Sequence, residues 1–204
     1  TELSLINNGY SIVCSDLDVP NCYDQSKKIF KDYKYIKFDI LNESMSQKFN
    51  SIVCFGVIYA FNQNELNNFF KKNFLLLETG GTLIFDPGGA EDNVFSLFYD
   101  KMYLPFENFL ISFFLKFLKK KYYLYKKHQG YRSSNKELVK LAREYGFKFI
   151  DIEKSDYYEE FNRSKLINFL MKNIPITKVF FGIFGRLFPY IRIFKFEKLD
   201  EKNN

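Results

Sequence analysis

The stretch Leu75-Leu-Leu-Glu-Thr-Gly-Gly-Thr-Leu-Ile-Phe-Asp86 decides the fold of this 204-residue chain. Before it, apolar residues at 66, 69, 70, 74 and 77 recur at the spacing of one helix face, which predicts a helix over 64–77. The glycine pair predicts the end of that helix, and the apolar run 82–85 is typical of a buried strand. A helix followed at once by a short apolar strand indicates one repeat of an α/β sheet.

Further strands and helices alternate along the chain on both sides of this stretch. Ser134 with Glu137 three residues later predicts a capped helix over 134–145, and 163–172 has a helical pattern as well. Strands separated by helices in this way predict an α/β fold with a mostly parallel sheet and helices on both faces. The predicted strands are short runs rich in apolar residues, at 11–15, 35–39, 51–56, 147–152 and 190–196.

The segment between strand 82–85 and helix 134–145 is too long for an ordinary connection. Helical patterns at 94–103 and 106–125, separated by Pro105, occupy part of it. We therefore expect a single domain over 1–204 with a helical insertion, or lid, at about 91–131.

Charge is unevenly distributed along the chain. The sequence has 30 basic and 24 acidic residues, and 116–204 carries 21 of the basic ones but only 10 of the acidic ones. A solvated lysine-rich surface explains this excess without any binding function, because Lys, Asn, Phe and Tyr are abundant throughout the chain. We expect no nucleic-acid partner, and 106–127 is the segment where we expect any peripheral contact with a membrane.

The cysteine pattern and the start of the chain exclude several protein classes. Cys14, Cys22 and Cys54 are odd in number and have no metal-ligand spacing, so we expect neither a metal site nor a disulfide scaffold. Residues 1–9 lack the basic start and apolar run of a signal peptide, and 109–118 is too short to span a bilayer. These features favour a cytoplasmic protein.

Two acidic residues follow successive predicted strands. Asp16, followed by Leu17, ends strand 11–15, and Asp39, followed by Ile40, ends strand 35–39. Ligands of open α/β sheets bind beyond the carboxyl ends of the strands, where a carboxylate can accept ribose hydroxyl protons. A second carboxylate with a neighbouring backbone N–H suits adenine. Together they predict an adenosine pocket, and the alternative is that each acid caps its strand or lies on the surface.

These passages resemble the S-adenosylmethionine (SAM)-dependent methyltransferases with a Rossmann-like fold. The passage from Asn8 to Leu17 is similar to that family's second strand with its ribose-binding acid, and 35–40 resembles the third strand with its adenine contact. The stretch 49–61 resembles the fourth strand and its turn, and the glycine pair with strand 82–86 is the most specific match. The resemblance implies a mostly parallel sheet whose last strand runs antiparallel beside strand 82–85.

The chain also departs from the family's pattern. No Gly-x-Gly-x-Gly loop, which cradles the methionine part of SAM in that family, occurs in the sequence, and Asn50 replaces the usual acid before strand 51–56. Tyr59-Ala60 replaces the common His-His after that strand. We therefore expect an N-terminally truncated protein or fragment that binds SAM weakly.

The resemblance implies methyl transfer from SAM to an oxygen, nitrogen or carbon atom of a small molecule. The implied cofactor contacts are Asp16, Leu17, Asp39, Ile40 and Phe55. Tyr59, His128 and Tyr131 are the candidates for orienting or deprotonating a substrate, and the acceptor itself is open. Two alternatives are an NAD(P)-dependent oxidoreductase, which would also use Asp16, and a non-catalytic fragment or peripheral module that binds anionic surfaces.

Overall fold

The computed structural model describes residues 2–31, 33–87, 99–117, 134–155, 165–187 and 191–200. It contains two compact units, Thr1–Ser46 and Gln47–Asn204, and each is described by itself. His128, Tyr131 and most of the predicted insertion at 91–131 lie outside the described residues. The single domain and its insertion therefore remain predictions.

The first unit is built around one parallel pair of strands. Strand β1 (Val13–Asp16) lies beside β2 (Lys34–Lys37), so the carboxyl ends of both strands lie at the same edge. Gly9, at φ 86°, follows helix α1 (Glu2–Asn7), at a position where a glycine in the left-handed conformation ends many helices. The elements in chain order are α1 (Glu2–Asn7), β1 (Val13–Asp16), α2 (Tyr23–Ile29) and β2 (Lys34–Lys37).

The second unit contains a four-stranded sheet whose strands lie in the order β3 (Phe49–Cys54), β4 (Leu77–Phe85), β6 (Ile191–Lys198) and β5 (Phe147–Ser155). β3 and β4 are parallel, and β6 is antiparallel to both β4 and β5, so every strand of this sheet except the last runs in one direction. The predicted position of the last strand, antiparallel beside 82–85, is confirmed.

Two helices of the second unit begin with complete capping boxes. The Asn62 side chain accepts from the Glu65 N–H and Glu65 accepts from the Asn62 N–H, and Ser134 and Glu137 make the same exchange. The helices are α3 (Gln63–Leu76), α4 (Leu104–Phe117), α5 (Asn135–Glu144), α6 (Lys165–Asn173) and α7 (Pro175–Leu187), and short turns occupy Ile58–Ala60 and Tyr99–Tyr103.

The predicted role of the glycine pair is wrong. Helix α3 ends at Leu76, and β4 runs straight through Gly80 and Gly81. The register between β3 and β4 shifts here, because Phe49 lies opposite Leu77 but Ser51 lies opposite Thr82. A Cβ on Gly81 would lie 3.2 Å from the Asn50 carbonyl oxygen and 2.7 Å from that of Glu78. The glycines therefore permit an irregularity within the strand, where the backbones approach closely.

Three other helical features differ from the expectation. Pro105, expected between two helices, is the second residue of α4, which directly follows the π-helical turn at Tyr99–Tyr103. Helices α2 and α7 were not predicted at all.

Among the described ranges, none of the helices combines the length and the apolar character needed to cross a membrane.

Phenylalanine rings form the centre of the second unit. Phe85 of β4 stacks on the rings of Phe194 and Phe196, with centroids 5.6 and 5.8 Å apart, and meets Phe70 edge-on at 5.6 Å. These aromatic contacts hold helix α3 against the middle of the sheet, and both the stacked and the edge-on arrangements are favourable. The rings in this cluster that are almost completely buried are those of Phe69, Phe70, Phe85, Phe147, Phe194 and Phe196.

A buried lysine connects the end of β6 to the end of α3. Lys198 is 5 % exposed, and its ammonium group donates to the carbonyl oxygens of Phe74 and Leu77 at 2.8 and 3.0 Å. It also lies 4.2 Å from the centre of the Phe74 ring. A positive charge at these terminal carbonyls complements the negative end of the helix dipole.

Candidate functional site

The carboxyl ends of β1 and β2 bring two predicted site residues to one edge of the first unit. Asp16 is the last residue of β1, and its carbonyl oxygen accepts from the Phe38 N–H at 3.0 Å. Asp39 follows Phe38 directly, two residues after β2 ends. Parallel pairing thus places both acids at adjacent strand ends, and their function as ligands remains a prediction.

The Asp16 carboxylate is exposed and lightly engaged. Its Oδ1 accepts from the backbone N–H of Leu17 at 2.7 Å. No donor for Oδ2 occurs among the described residues of the chain. Leu17 beside it is 57 % exposed. An exposed carboxylate with an open acceptor atom at a strand end can accept from a hydroxyl group of a ligand.

Asp39 organises the turn that follows β2. Its Oδ1 accepts from the N–H groups of Leu41 and Asn42 at 2.9 and 3.3 Å, and its Oδ2 accepts from the Asn42 side chain at 2.7 Å. Its own N–H donates to Glu43. Asp39 therefore makes the bonds of a strand-end cap, which is the alternative to a ligand contact that the sequence left open. In the turn from Asp39 to Asn42, every backbone N–H except that of Ile40 donates a hydrogen bond. The Ile40 N–H has no acceptor among the described residues.

A second acid near β1 is held by the side chains of β2. The Tyr35 hydroxyl donates to the carbonyl oxygen of Asp18, and Lys37 lies 3.3 Å from the Asp18 carboxylate. Desolvation raises the pKa of Tyr35, and the negative charges of Asp16 and Asp18 raise it further. The hydroxyl therefore stays protonated and remains a donor at neutral pH. These contacts occupy Asp18 and not Asp16.

The carboxyl ends of β3 and β4 are joined by an acid that sequence reasoning did not assign to a site. The Gly56 N–H donates to Asp86 Oδ2 at 3.1 Å, and the Asp86 N–H donates to the Cys54 carbonyl oxygen at 3.3 Å. Gly56 has a φ of 68°, which an L-residue adopts only with strain. The signal in the sequence was the position of Asp86 directly after a buried strand. Phe55, 47 % exposed beside this turn, stays a predicted cofactor contact.

Cys54 at this edge is expected to react slowly. Burial raises its pKa to about 12, with a further contribution from the Asp86 charge. At pH 8 we expect iodoacetamide to alkylate Cys54 about fiftyfold more slowly in the native protein than in the urea-unfolded protein. The raised pKa leaves less thiolate in the native protein, and this loss outweighs the higher nucleophilicity of each thiolate that is present. Mass spectrometry of timed samples measures this rate, and the exposed Cys22 is the internal control. Equal rates at Cys54 in both states would contradict the burial.

Of the candidates for orienting or deprotonating a substrate, the described residues include Tyr59. Tyr59 lies in the turn Ile58–Ala60 of the second unit and is 50 % exposed. In the ranges that the structure describes, no group of three His, Cys, Asp or Glu residues could hold a metal ion. A shallow groove along α5 contains none of the predicted residues, and it is lined by Asn135, Lys136, Val139, Lys140, Arg143, Glu144 and Phe149.

Comparison with known proteins gives matches to solved structures alone. No family model and no curated protein match the sequence. The SAM-dependent methyltransferase of Methanosarcina mazei is similar over 98 % of this chain and 87 % of its own, with 14 % identity and a TM-score of 0.60. A putative sarcosine dimethylglycine methyltransferase of Galdieria sulphuraria is similar over 98 % and 74 %, with 14 % identity and a TM-score of 0.58.

A third similar structure has its ligands bound. The 1,6-didemethyltoxoflavin-N1-methyltransferase of Burkholderia thailandensis was solved with 1,6-didemethyltoxoflavin and S-adenosylhomocysteine. It matches 98 % of this chain with 11 % identity and a TM-score of 0.59, and the chain spans 66 % of its length. The strand directions described above and these three structural matches agree, and the chain has the Rossmann-like fold of the class I SAM-dependent methyltransferases.

Proposed function

We propose that this chain binds SAM through its first unit and takes part in methyl transfer to a small molecule. The observation that carries the proposal is the exposed Asp16 carboxylate at the end of a parallel strand, with Oδ2 open to a ligand among the described contacts. The fold is that of methyltransferases, and one similar structure contains S-adenosylhomocysteine, the product that SAM leaves after transfer.

The chemistry of the first unit fits the adenosine part of SAM. Asp16 provides a carboxylate for the ribose hydroxyls, as in other Rossmann-type nucleoside sites. Ile40 provides a backbone N–H that can donate to a ring nitrogen of adenine. Asp39 fixes the turn that carries this N–H, through the bonds to Leu41 and Asn42. Its proposed part in the adenine contact is therefore to position Ile40.

When bound, SAM supplies an electrophilic methyl group on sulfur to an oxygen, nitrogen or carbon atom of the acceptor. The protein's part in such a reaction is to hold the two reactants in line and to exclude water. Oxygen acceptors also need a base, and Tyr59, His128 and Tyr131 remain the candidates for that role.

Ligand titration of the ¹⁵N-labelled chain tests the proposal. We expect S-adenosylhomocysteine to shift the amide signals of Leu17 and Ile40. We also expect it to bind more tightly than NAD⁺, because the carboxylates of Asp16 and Asp18 repel the diphosphate of NAD⁺. NMR is suited to this measurement because it detects dissociation constants into the millimolar range. Tighter binding of NAD⁺ would favour an oxidoreductase, and binding of neither ligand would favour a non-catalytic protein.

A further inference from the structure

Helices α6 and α7 present an apolar surface to solvent. On α6, Ile167 and Met171 are buried at 3 % and 6 % exposure, so that side of the helix packs inward. The other side and the helix that follows carry large exposed apolar side chains. We call these the α6–α7 face, and its members are Phe169, Ile174, Ile176, Val179, Phe180 and Ile183.

The α7 part of this face is a continuous stripe. Ile176, Val179, Phe180 and Ile183 follow the i, i+3, i+4, i+7 spacing that places side chains on one side of a helix. Each of the four is at least 59 % exposed. Single exposed apolar residues are common on proteins, but a contiguous stripe of this kind marks an interaction surface.

The charged residues of the segment 165–187 all have one sign. The segment contains four basic residues and no Asp or Glu, so its net charge is +4, and two of the basic residues, Lys172 and Lys178, are exposed. An apolar stripe among basic residues suits a surface that combines hydrocarbon with negative charge. A membrane leaflet with anionic lipids provides both, because Lys and Arg near it are attracted to the headgroups.

We propose that the α6–α7 face docks on the surface of an anionic lipid bilayer, with the apolar stripe at the boundary between headgroups and acyl chains. A second copy of the chain is a poorer occupant, because a symmetric contact would bring two +4 segments together. This surface is separate in sequence from 106–127, and the proposal is independent of SAM binding.

Vesicle flotation of the full chain tests this proposal. We expect binding to phosphatidylcholine vesicles that contain phosphatidylserine, and much weaker binding to phosphatidylcholine alone or at high salt. Ile176→Ser should lower the partition coefficient about tenfold, since it removes one large side chain from the buried stripe. Ile29→Ser is the matched control, because Ile29 is 73 % exposed and Ile176 is 75 % exposed, and it should leave partitioning unchanged.

Charge reversal provides the second variant. Lys178→Glu should reduce binding to the phosphatidylserine vesicles and should have little effect on the weak binding to phosphatidylcholine. Circular dichroism spectra of all variants are expected to match the parent, since each altered side chain is exposed.

Four results would overturn the proposal. They are absence of binding to the anionic vesicles, equal binding to both vesicle types, equal losses for Ile176→Ser and Ile29→Ser, and a lipid-free dimer, seen by light scattering, that Ile176→Ser abolishes. The last result would identify a second copy of the chain as the occupant.

Discussion

Replacing Asp16 with Ala is expected to weaken binding of both adenosine and S-adenosylhomocysteine by about 1–3 kcal/mol, or about 5- to 150-fold in Kd. The reason is that the proposed ribose hydroxyls would lose a charged acceptor as they leave water. Adenosine is the sharper probe, because it is neutral and has no methionine part. Its binding therefore reports on the first unit without a contribution from long-range charge.

Asp18→Ala is the matched control for this variant. Asp18 is exposed and lies two residues after Asp16, but its carboxylate pairs with Lys37. We expect its removal to change the Kd of adenosine less than about twofold, as for a solvent-exposed ion pair that does not touch the ligand. Unchanged adenosine binding by Asp16→Ala, or the same loss in both variants, would refute the ribose contact.

Phe85→Ala is expected to destabilise the second unit by about 3–5 kcal/mol. The ring is completely buried, and it touches the rings of Phe69, Phe70, Phe194 and Phe196, so its removal leaves a cavity between α3 and the sheet. Urea unfolding followed by far-UV circular dichroism measures the loss, because the chain has no Trp for fluorescence.

Phe169→Ala is the control for the core prediction. This variant also removes a phenylalanine ring, but from a helix position that is 62 % exposed. We therefore expect the free energy of unfolding to change by no more than about 0.5 kcal/mol. Similar losses for the two variants would show that the aromatic cluster does not form the centre of the unit.

Local patterns in the sequence were sufficient for several elements. Ser134 with Glu137 predicted the start of α5, and the structure has that capping box. The predicted strands at 35–39 and 147–152 overlap β2 and the first part of β5. Such signals succeed because capping and strand propensity involve residues that are neighbours in the chain.

Other features depend on residues that are distant in the chain, or on backbone conformations that the local pattern does not specify. Glycines usually end helices, but Gly80 and Gly81 lie within β4, because Asn50 of β3 approaches the backbone there. Helix α7 contains Pro175, Gly182 and a long apolar run, and its propensity is weak. The hydrogen bonds that fill the Asp39 carboxylate arise from the turn conformation, which the pattern of strand and acid does not specify.

The sequence by itself determined the alternation of helices and strands, the parallel pairing of β1 with β2 and of β3 with β4, and the position of Asp16 and Asp39 after their strands. These features follow from periodicity and chain order. The folded backbone, and not the pattern of strand and acid, decided which acid keeps an open acceptor. The turn after β2 engages Asp39 with Leu41 and Asn42, whereas Asp16 binds only Leu17 among the described residues. Tertiary structure also decided which apolar residues remain exposed on α7. Burial depends on which surfaces meet in three dimensions, and a pattern of apolar residues is the same whether or not a partner covers it.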